Sequence, residues 1–347
     1  MKPLATLILS CVTLVAAEPA KRPSADEMKA IALKMAVDVT STKDGSPQKV
    51  VYTQPDSAAK NLAGPAVPLL VFLHSWSGSI EQAPSLVGLA KHRGWVMIAP
   101  AFRGPNNRPE ACASDLASQD IIDAVEYAKA HARIDTDRIY LVGGSGGGHM
   151  SLVMASRTPD LWAAVSAWVP ISDLTAWHAE SSARKNNYAK MIEQCCGGKP
   201  GPATEAEYRH RSPLFHLAAA KGVPLDINTG IHDGHTGSVP VSHSLLAFNV
   251  LAAPDKQVSV ADIDFMVREQ KIPTALATET QIDPERQKAV LFRRASGNAR
   301  VTVFEGGHES ESSAGVLWLS RQRKGQPADF SLGATSGQTG AATEVSK

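Results

Sequence analysis

The sequence predicts an α/β fold in which helices cover both faces of a mostly parallel sheet. Apolar runs of strand length alternate with segments of helical periodicity through the first half of the chain. The runs at 67–73 and 95–99 are apolar almost throughout, as in strands that are buried on both faces. A third run, at 139–142, leads directly into a glycine-rich turn. This alternation is typical of parallel sheets built from strand–helix–strand units.

Individual elements follow from the same patterns. Strands are expected where short apolar or β-branched runs end in turn residues, at 50–53, 67–73, 95–99, 139–142, 162–169, 223–229, 290–293 and 301–304. Helices are expected where apolar residues recur at helical spacing, at 24–35, 81–92, 115–131, 150–155, 239–252, 260–269 and 313–323. The first of these helices has a capping-box pair, Ser24 and Glu27, at its start.

The chain divides into one domain with flanking segments. Two polar segments interrupt the alternation of strands and helices and are interpreted as insertions. The first of them is expected to form a cap beside the functional site. A C-terminal stretch rich in Gly, Ala, Thr and Ser is expected to be disordered. The predicted limits are 1–17 for an export signal, 18–48 for an N-terminal helical segment, 49–324 for the α/β domain, 171–217 and 255–287 for the insertions, and 325–347 for the tail.

Composition and charge exclude some classes of protein. With 347 residues, 43% of them hydrophobic and 20% charged, the composition is that of an ordinary soluble protein with room for one large α/β domain. The formal net charge is only +1, so neither a basic surface for nucleic acid nor an acidic surface for a cationic partner is indicated.

The first 17 residues have the pattern of an export signal. Lys2 supplies a positive end, 4–15 is mostly apolar, and Ala16 and Ala17 form a small-residue cleavage site. The apolar stretch is too short to span a membrane, so we expect export to the periplasm or the medium. A lipid anchor at Cys11 is an alternative, because Ile-Leu-Ser-Cys at 8–11 loosely resembles a lipid-attachment motif.

Three cysteines follow the signal, namely Cys112, Cys195 and Cys196. Because an exported protein meets oxidising conditions, we expect one disulfide, from Cys112 to either Cys195 or Cys196. A metal site is the competing interpretation, but adjacent cysteines without C-x-x-C spacing make poor zinc ligands. No metal and no other cofactor is therefore expected.

The glycine-rich turn carries the strongest functional signal. Gly143-Gly144-Ser145-Gly146-Gly147 matches G-x-S-x-G and lies between a predicted strand and a predicted helix. In that context the serine is a nucleophile, pushed out at the apex of a strained turn that glycines allow. The following helix directs its positive N-terminal end at the serine. A loop without chemistry is the alternative; a phosphate-binding loop would require G-K-[ST], which is absent.

A serine nucleophile needs a base, and the base needs an acid that orients it. In hydrolases with this turn the order along the chain is serine, acid, histidine. Asp233 and His308 follow predicted strands in that order, at the carboxyl ends where open α/β sheets build their sites. The rival candidates are the acid Asp226, which lies early in its strand, and the histidines at 232 and 235, which flank Asp233 too closely.

Two backbone amides should stabilise the oxyanion of the reaction. One is expected from Gly146, directly after the nucleophile, and the other from Ser75 or Trp76 in the turn that follows the second strand. Apolar and aromatic side chains typically line such pockets. The candidates for the substrate pocket are Trp168, Trp177 and His149.

The motifs together resemble the catalytic domain of the prolyl oligopeptidase family of serine hydrolases. They are G-G-S-G-G-G-H-M after I-Y-L-V, D-G-H-T-G-S-V-P-V-S-H-S, and F-E-G-G-H-E. The resemblance covers about 50–323 and implies an α/β-hydrolase fold with Ser145 as nucleophile, Asp233 as acid and His308 as base. It also implies a peptidase that works through an acyl-enzyme.

Two features depart from this family. We expect no N-terminal β-propeller, because few residues precede the second strand of this sequence, and glycines flank the serine where an aromatic residue is usual. We therefore expect a serine hydrolase whose substrate is either a peptide or an ester, such as an acetylated or feruloylated carbohydrate or a small acyl compound. A non-catalytic binding protein on the same fold would lack a member of the triad, and all three residues are present.

Overall fold

The computed structural model describes residues 23–279 and 282–332. The predicted signal with Cys11, and residues 333–347 of the predicted tail, lie outside the described residues. Among the helices of the described part, none is long and apolar enough to cross a membrane.

A nine-stranded sheet runs through the domain in the order β1-β2-β4-β3-β5-β6-β7-β9-β8. The strands are β1 Ala36–Thr40, β2 Pro47–Thr53, β3 Val67–Leu73, β4 Val96–Pro100, β5 Ile134–Gly144, β6 Ala164–Trp168, β7 Leu225–Gly230, β8 Val290–Ser296 and β9 Ala299–Phe304. The six central strands from β4 to β9 pair in parallel, whereas β1, β2 and β8 pair antiparallel at the two edges. The sheet thus has the mostly parallel topology that the sequence predicts.

Ten α-helices accompany the sheet within the described residues. They are α1 Ala25–Lys34, α2 Pro84–His92, α3 Asp115–His131, α4 Gly146–Arg157, α5 Leu174–Ala183, α6 Tyr188–Cys196, α7 Glu205–Arg211, α8 Ser242–Leu251, α9 Val260–Glu269 and α10 Ser312–Leu319. Short 3-10 turns connect them, including Ile80–Gln82 immediately before α2.

Two apolar cores lie on opposite faces of the sheet. Successive side chains of a strand point to opposite faces, so Leu69 and Val71 of β3 enter one core and Leu70 enters the other. Helices α3, α4 and α8 cover the first face, and α2 and α10 cover the second. The central strands are buried on both faces, which explains why their sequences are apolar almost throughout. The predicted layered α/β architecture is confirmed.

The N-terminal region differs from the expectation of a purely helical segment at 18–48. Ser24 and Glu27 form the predicted capping box at the start of α1. Immediately after the helix, β1 pairs antiparallel with β2, from Ala36 opposite Val51 to Thr40 opposite Pro47. The sheet therefore begins 13 residues earlier than the predicted domain limit at 49.

Both predicted insertions are elaborations between elements of the sheet. Helices α5, α6 and α7 fill the first insertion, and α9 lies in the second. The start of the predicted tail is packed rather than disordered. Phe330 stacks on Trp318 with ring centroids 6.1 Å apart, and Trp318 Nε1 donates to Asp329 O at 3.0 Å. The expectation of a disordered tail from 325 is therefore wrong for residues 325–332.

The expected disulfide is not formed in the structure. Cys112, Cys195 and Cys196 are free, and all three are buried in a small apolar cluster that also contains Ile171 and Trp177. Burial raises the pKa of the Cys112 thiol well above its ordinary value and that of Cys196 to about 12. Disulfide exchange requires a thiolate, so burial of this kind keeps Cys112 and Cys196 as thiols. The hydrogen bond with Cys112 instead lowers the pKa of the Cys195 thiol.

Candidate active site

Ser145 occupies a strained turn between β5 and α4. Its φ of 57° and ψ of −119° lie in a region that non-glycine residues rarely adopt. The backbone N–H of Ser145 donates to Trp168 O at 2.9 Å, and its carbonyl accepts the first hydrogen bond of α4 from His149 N at 2.8 Å. The strand and the helix thus hold both sides of the strained residue, as the sequence predicts for a nucleophile turn.

Glycines around Ser145 permit close approach to the neighbouring strand. A Cβ on Gly147 would collide with the carbonyl oxygens of Leu73 and His74 at the end of β3. A Cβ on Gly146 would collide with the backbone of Trp76 in the following turn. The absence of these side chains therefore brings the N-terminus of α4 directly against the turn after β3.

Asp233 and His308 meet at the carboxyl edge of the sheet. Asp233 follows β7 and His308 follows β9, and their side chains join through Oδ2 and Nδ1 at 2.7 Å. The other carboxylate oxygen of Asp233 accepts from the backbone N–H groups of Gly234 and Val239, at 2.9 and 3.0 Å. The carboxylate is thereby fixed in place, and it favours the tautomer of His308 with the proton on Nδ1.

The second ring nitrogen of His308 contacts a different serine. Its Nε2 lies 3.4 Å from Ser238 Oγ, and within the described residues His308 makes no hydrogen bond to Ser145 Oγ. Ser145 and His308 nevertheless line the same cavity. Hydrogen bonds between nucleophile and base are often long without substrate and shorten in the complex, so this arrangement is compatible with a serine–histidine pair.

The structure distinguishes the two candidate donors in the turn after β3. The backbone N–H of Ser75 donates to Gln82 Oε1 at 2.8 Å, so it is already engaged. The backbone N–H of Trp76 makes no hydrogen bond among the described residues, and Trp76 lies against Gly146. Gly146 and Trp76 are therefore the amides that remain free to stabilise an oxyanion.

Ser145 and His308 open onto a cavity of about 710 Å³. That volume is within the range of small-molecule and peptide subsites. Its wall combines the turn after β3, the strained serine and side chains from five other parts of the chain: Met28, Glu81, Leu86, Trp168, Tyr188 and Glu309.

Of the three predicted pocket residues, only Trp168 lines this cavity. Trp177 is fully buried beneath the turn after β3, where its ring lies 4.7 Å from that of Trp76 and its Nε1 donates to Ser238 O. His149 is also fully buried, with Nε2 facing Arg211 O at 2.8 Å. The predictions for Trp177 and His149 are wrong because both side chains point into the protein rather than toward the opening.

The rival acid and bases have other roles. Asp226 is buried in β7, where it pairs with Arg300 at 2.7 Å. His232 pairs with Glu305 at 2.7 Å on the surface, and His235 Nε2 faces Val267 O. None of the three lines the cavity that contains Ser145.

Sequence reasoning missed several parts of this cavity. Met28 of α1 and Tyr188 of α6 lie far from Ser145 along the chain, and nothing in their local pattern indicates a pocket. Gln82 was also missed, because a side-chain contact seven residues back leaves no periodic signal. The only sequence feature that pointed to Gln82 was its position as a polar residue soon after the turn at Ser75 and Trp76.

The mostly parallel sheet and the strand, strained turn and helix around Ser145 define an α/β-hydrolase fold. A sequence model of the prolyl oligopeptidase family matches residues 87–266, just over half of the chain. The chain belongs to the prolyl oligopeptidase family. This confirms the resemblance deduced from the three motifs.

Relatives with peptidase names share part of the sequence. The dipeptidyl aminopeptidase BIII of Pseudoxanthomonas mexicana is 27% identical over 222 residues, which cover 60% of this chain and 32% of that protein. The uncharacterized peptidase YtmA of Bacillus subtilis is 27% identical over 157 residues, which cover 44% of this chain and 57% of that protein. The chain thus spans about half the length of one relative and a third of the other.

The fold is also similar to solved structures. The acylaminoacyl peptidase of Pyrococcus horikoshii, in its orthorhombic crystal form, superposes with a TM-score of 0.55 at 17% identity. The alignment covers 85% of this chain and 43% of that one. At this identity the similarity shows a shared fold, in agreement with the predicted α/β-hydrolase architecture.

Proposed function

We propose that this protein is a serine peptidase in which Ser145 is the nucleophile, His308 the general base and Asp233 the orienting acid. The observation that supports this most strongly is the 2.7 Å contact between Asp233 and His308 at the edge of the cavity that also exposes Ser145. Ser145, Asp233 and His308 follow three different strands of the sheet, in the chain order that hydrolases with this nucleophile turn use.

In the first half of the reaction, His308 Nε2 takes the proton of Ser145 Oγ as that oxygen attacks the substrate carbonyl carbon. Asp233 keeps the other ring proton on Nδ1 and stabilises the imidazolium. The carbonyl π electrons move to oxygen, and the amides of Gly146 and Trp76 donate to the resulting oxyanion. When the carbonyl re-forms, the C–N bond breaks and His308 protonates the departing amine.

In the second half, water replaces the amine. His308 removes a proton from the water as its oxygen attacks the acyl-enzyme carbonyl, and the same two amides stabilise the second oxyanion. Collapse then breaks the ester bond to Ser145 Oγ, which recovers its proton from His308. The products are a free acid and the starting enzyme.

Peptides are the preferred substrate class in this proposal. The family is one of peptidases, and the relatives described above carry peptidase names. The alternative of an acylated carbohydrate or small ester uses the same chemistry, but no observation on the site favours it. We also propose, from the sequence of residues 1–17 alone, that the protein is exported.

The test is a paired assay of the purified chain. Peptide p-nitroanilides with free and blocked amino termini, some with proline before the scissile bond, are compared with p-nitrophenyl acetate and acetylated xylan. Ser145→Ala is the inactive control, and Ser85→Ala is the matched control, because Ser85 is an exposed serine on the same cavity wall. Cleavage of peptides that requires Ser145 supports the proposal. Cleavage confined to acetylated xylan and simple esters would contradict it.

A further inference from the structure

The side chain of Gln82 makes two hydrogen bonds to the same residue of the oxyanion turn. Its Oε1 accepts from the backbone N–H of Ser75 at 2.8 Å, and its Nε2 donates to Ser75 Oγ at 2.8 Å. The amide orientation is fixed chemically, since a backbone N–H can only donate and must therefore face the oxygen. One side chain thus holds both the main chain and the side chain of Ser75.

Ser75 is the residue that precedes the proposed oxyanion donor, Trp76. The turn is closed on its other side by Gly78, whose N–H donates to Ser75 O at 3.1 Å. The peptide plane between Ser75 and Trp76 carries the Trp76 N–H, so its orientation depends on how Ser75 is held. A displacement of even part of an ångström at this donor weakens an interaction that acts only on the developing negative charge.

We propose that Gln82 is a positioning residue that holds the Trp76 amide in the oxyanion hole through its two hydrogen bonds to Ser75. This rests on the proposed function of Ser145. In this role Gln82 need not touch the substrate: it acts on the transition state through the turn, even though its side chain lies in the cavity wall.

A second observation supports the same role. A Cβ on Gly78 would collide with all three amide atoms of the Gln82 side chain. The glycine therefore leaves the space in which the Gln82 amide reaches Ser75. Because the colliding atoms are the end of a flexible side chain, Gly78→Ala would displace the amide of Gln82 while leaving the backbone of the turn in place.

The test measures kcat and KM for p-nitrophenyl acetate in four variants of the full chain and in one control variant. Gln82→Met keeps the length of the side chain and removes both hydrogen bonds, and Gly78→Ala displaces the amide without altering Gln82. We expect each to lower kcat on the order of tenfold or more while KM stays within about twofold, less than the loss of an entire oxyanion donor. Ser75→Ala removes one of the two hydrogen bonds and should lower kcat less.

The double variant Ser75→Ala/Gln82→Met should be no slower than Gln82→Met alone, because both changes remove the same interaction. Gln119→Met is the matched control: it removes a glutamine hydrogen bond to Asp123 in α3, away from the cavity, and should leave kcat unchanged. Melting temperatures establish that each variant is folded.

The outcomes separate this inference from the function on which it rests. An active wild-type enzyme with an unchanged kcat in folded Gln82→Met would overturn the role of Gln82 alone. A raised KM at constant kcat would also overturn it, because Gln82 would then contact bound substrate rather than position the amide. A wild-type chain that neither hydrolyses the ester nor reacts with a fluorophosphonate would overturn both.

Discussion

Asp233 Oδ2 and His308 Nδ1 lie 2.7 Å apart although 75 residues separate them along the chain. The contact is possible because β7 and β9 are parallel neighbours, so both loops leave the sheet at the same edge. The other Asp233 oxygen is held by two backbone amides, which leaves Oδ2 directed at the ring. This is the geometry expected of an acid that orients a base.

Replacement of that acid should affect catalysis far more than stability. Asp233→Asn retains the shape of the side chain but can no longer favour the tautomer with the proton on Nδ1. We expect kcat to fall by roughly 10⁴ with little change in melting temperature. Steady-state kinetics and thermal unfolding of the same preparation measure both. A variant within tenfold of wild type would show that another group orients His308.

The matched substitution Asp226→Asn should lower stability far more than catalysis. Burial alone would raise the pKa of Asp226, but Arg300 and Arg286 more than offset it and keep that pKa below its ordinary value. Removal of the charge leaves buried guanidinium groups without their partner, at a cost of about 3 kcal/mol or more in the free energy of unfolding. The folded fraction of the variant should retain activity, because Asp226 does not line the cavity.

The lowered pKa of Asp226 also predicts how the effect of Asp226→Asn on stability changes with pH. A carboxyl whose pKa is lowered by folding stabilises the protein above the unfolded pKa, and that contribution is lost as the pH falls through the folded value. The gap in stability between wild type and Asp226→Asn should therefore be constant near neutral pH and narrow below about pH 4. Urea unfolding between pH 3 and pH 7, values that span about one unit below to three above the ordinary pKa of an aspartate, measures it. A gap that widened on acidification would contradict the assignment.

His149 should make the protein sensitive to milder acid. Burial lowers the pKa of His149 to about 4, with further contributions from Arg157 and Arg211, whereas its ordinary value is 6.5. Since the folded state disfavours the charged ring, stability should decline as the pH falls from about 6.5 toward 4, by on the order of 3 kcal/mol. His149→Gln can still donate to Arg211 O but cannot titrate, so its stability should be flatter over this interval. An equal slope in both proteins would contradict this prediction.

Two glycine-to-alanine substitutions should change the stability of the protein in opposite directions. Gly147→Ala places a Cβ against the carbonyl oxygens of Leu73 and His74, which are backbone atoms at the end of a central strand. We expect the free energy of unfolding to fall by roughly 2 kcal/mol or more, and activity to be lost with it. Gly88→Ala lies in α2, where an added Cβ meets nothing within 4 Å. It should raise stability by about 0.5–1 kcal/mol, because alanine is the better helix former.

The candidate catalytic residues could be predicted from the sequence because each of them has a local signature. Ser145 lies in a motif that combines a strand, a glycine turn and a helix, and the structure shows each of these elements. Asp233 and His308 follow strands that were themselves recognisable from apolar runs, and parallel topology places such strand ends at one edge. The same apolar runs also predicted the layered architecture of the sheet.

Features that depend on tertiary contacts could not be deduced in this way. Strand β1 follows α1 with a single intervening residue, and only Val39 of its five residues is buried, so no apolar run marks it. His149 and Trp177 lie near the site in sequence or in the cap, yet the paths of α4 and α5 direct their side chains into the interior. The contact of Gln82 with Ser75 likewise depends on how the turn folds back on Ile80–Gln82.

Reaction with diisopropyl fluorophosphate, followed by peptide mass spectrometry, examines the nucleophile itself. The diisopropylphosphoryl group is transferred to an activated serine hydroxyl with release of fluoride, independently of which peptide or ester the enzyme prefers. We predict one adduct per chain, on the peptide that contains Ser145, with parallel loss of hydrolytic activity and no adduct in Ser145→Ala. Stoichiometric modification of another serine, or full hydrolytic activity in Ser145→Ala, would contradict the assignment of Ser145 as the nucleophile.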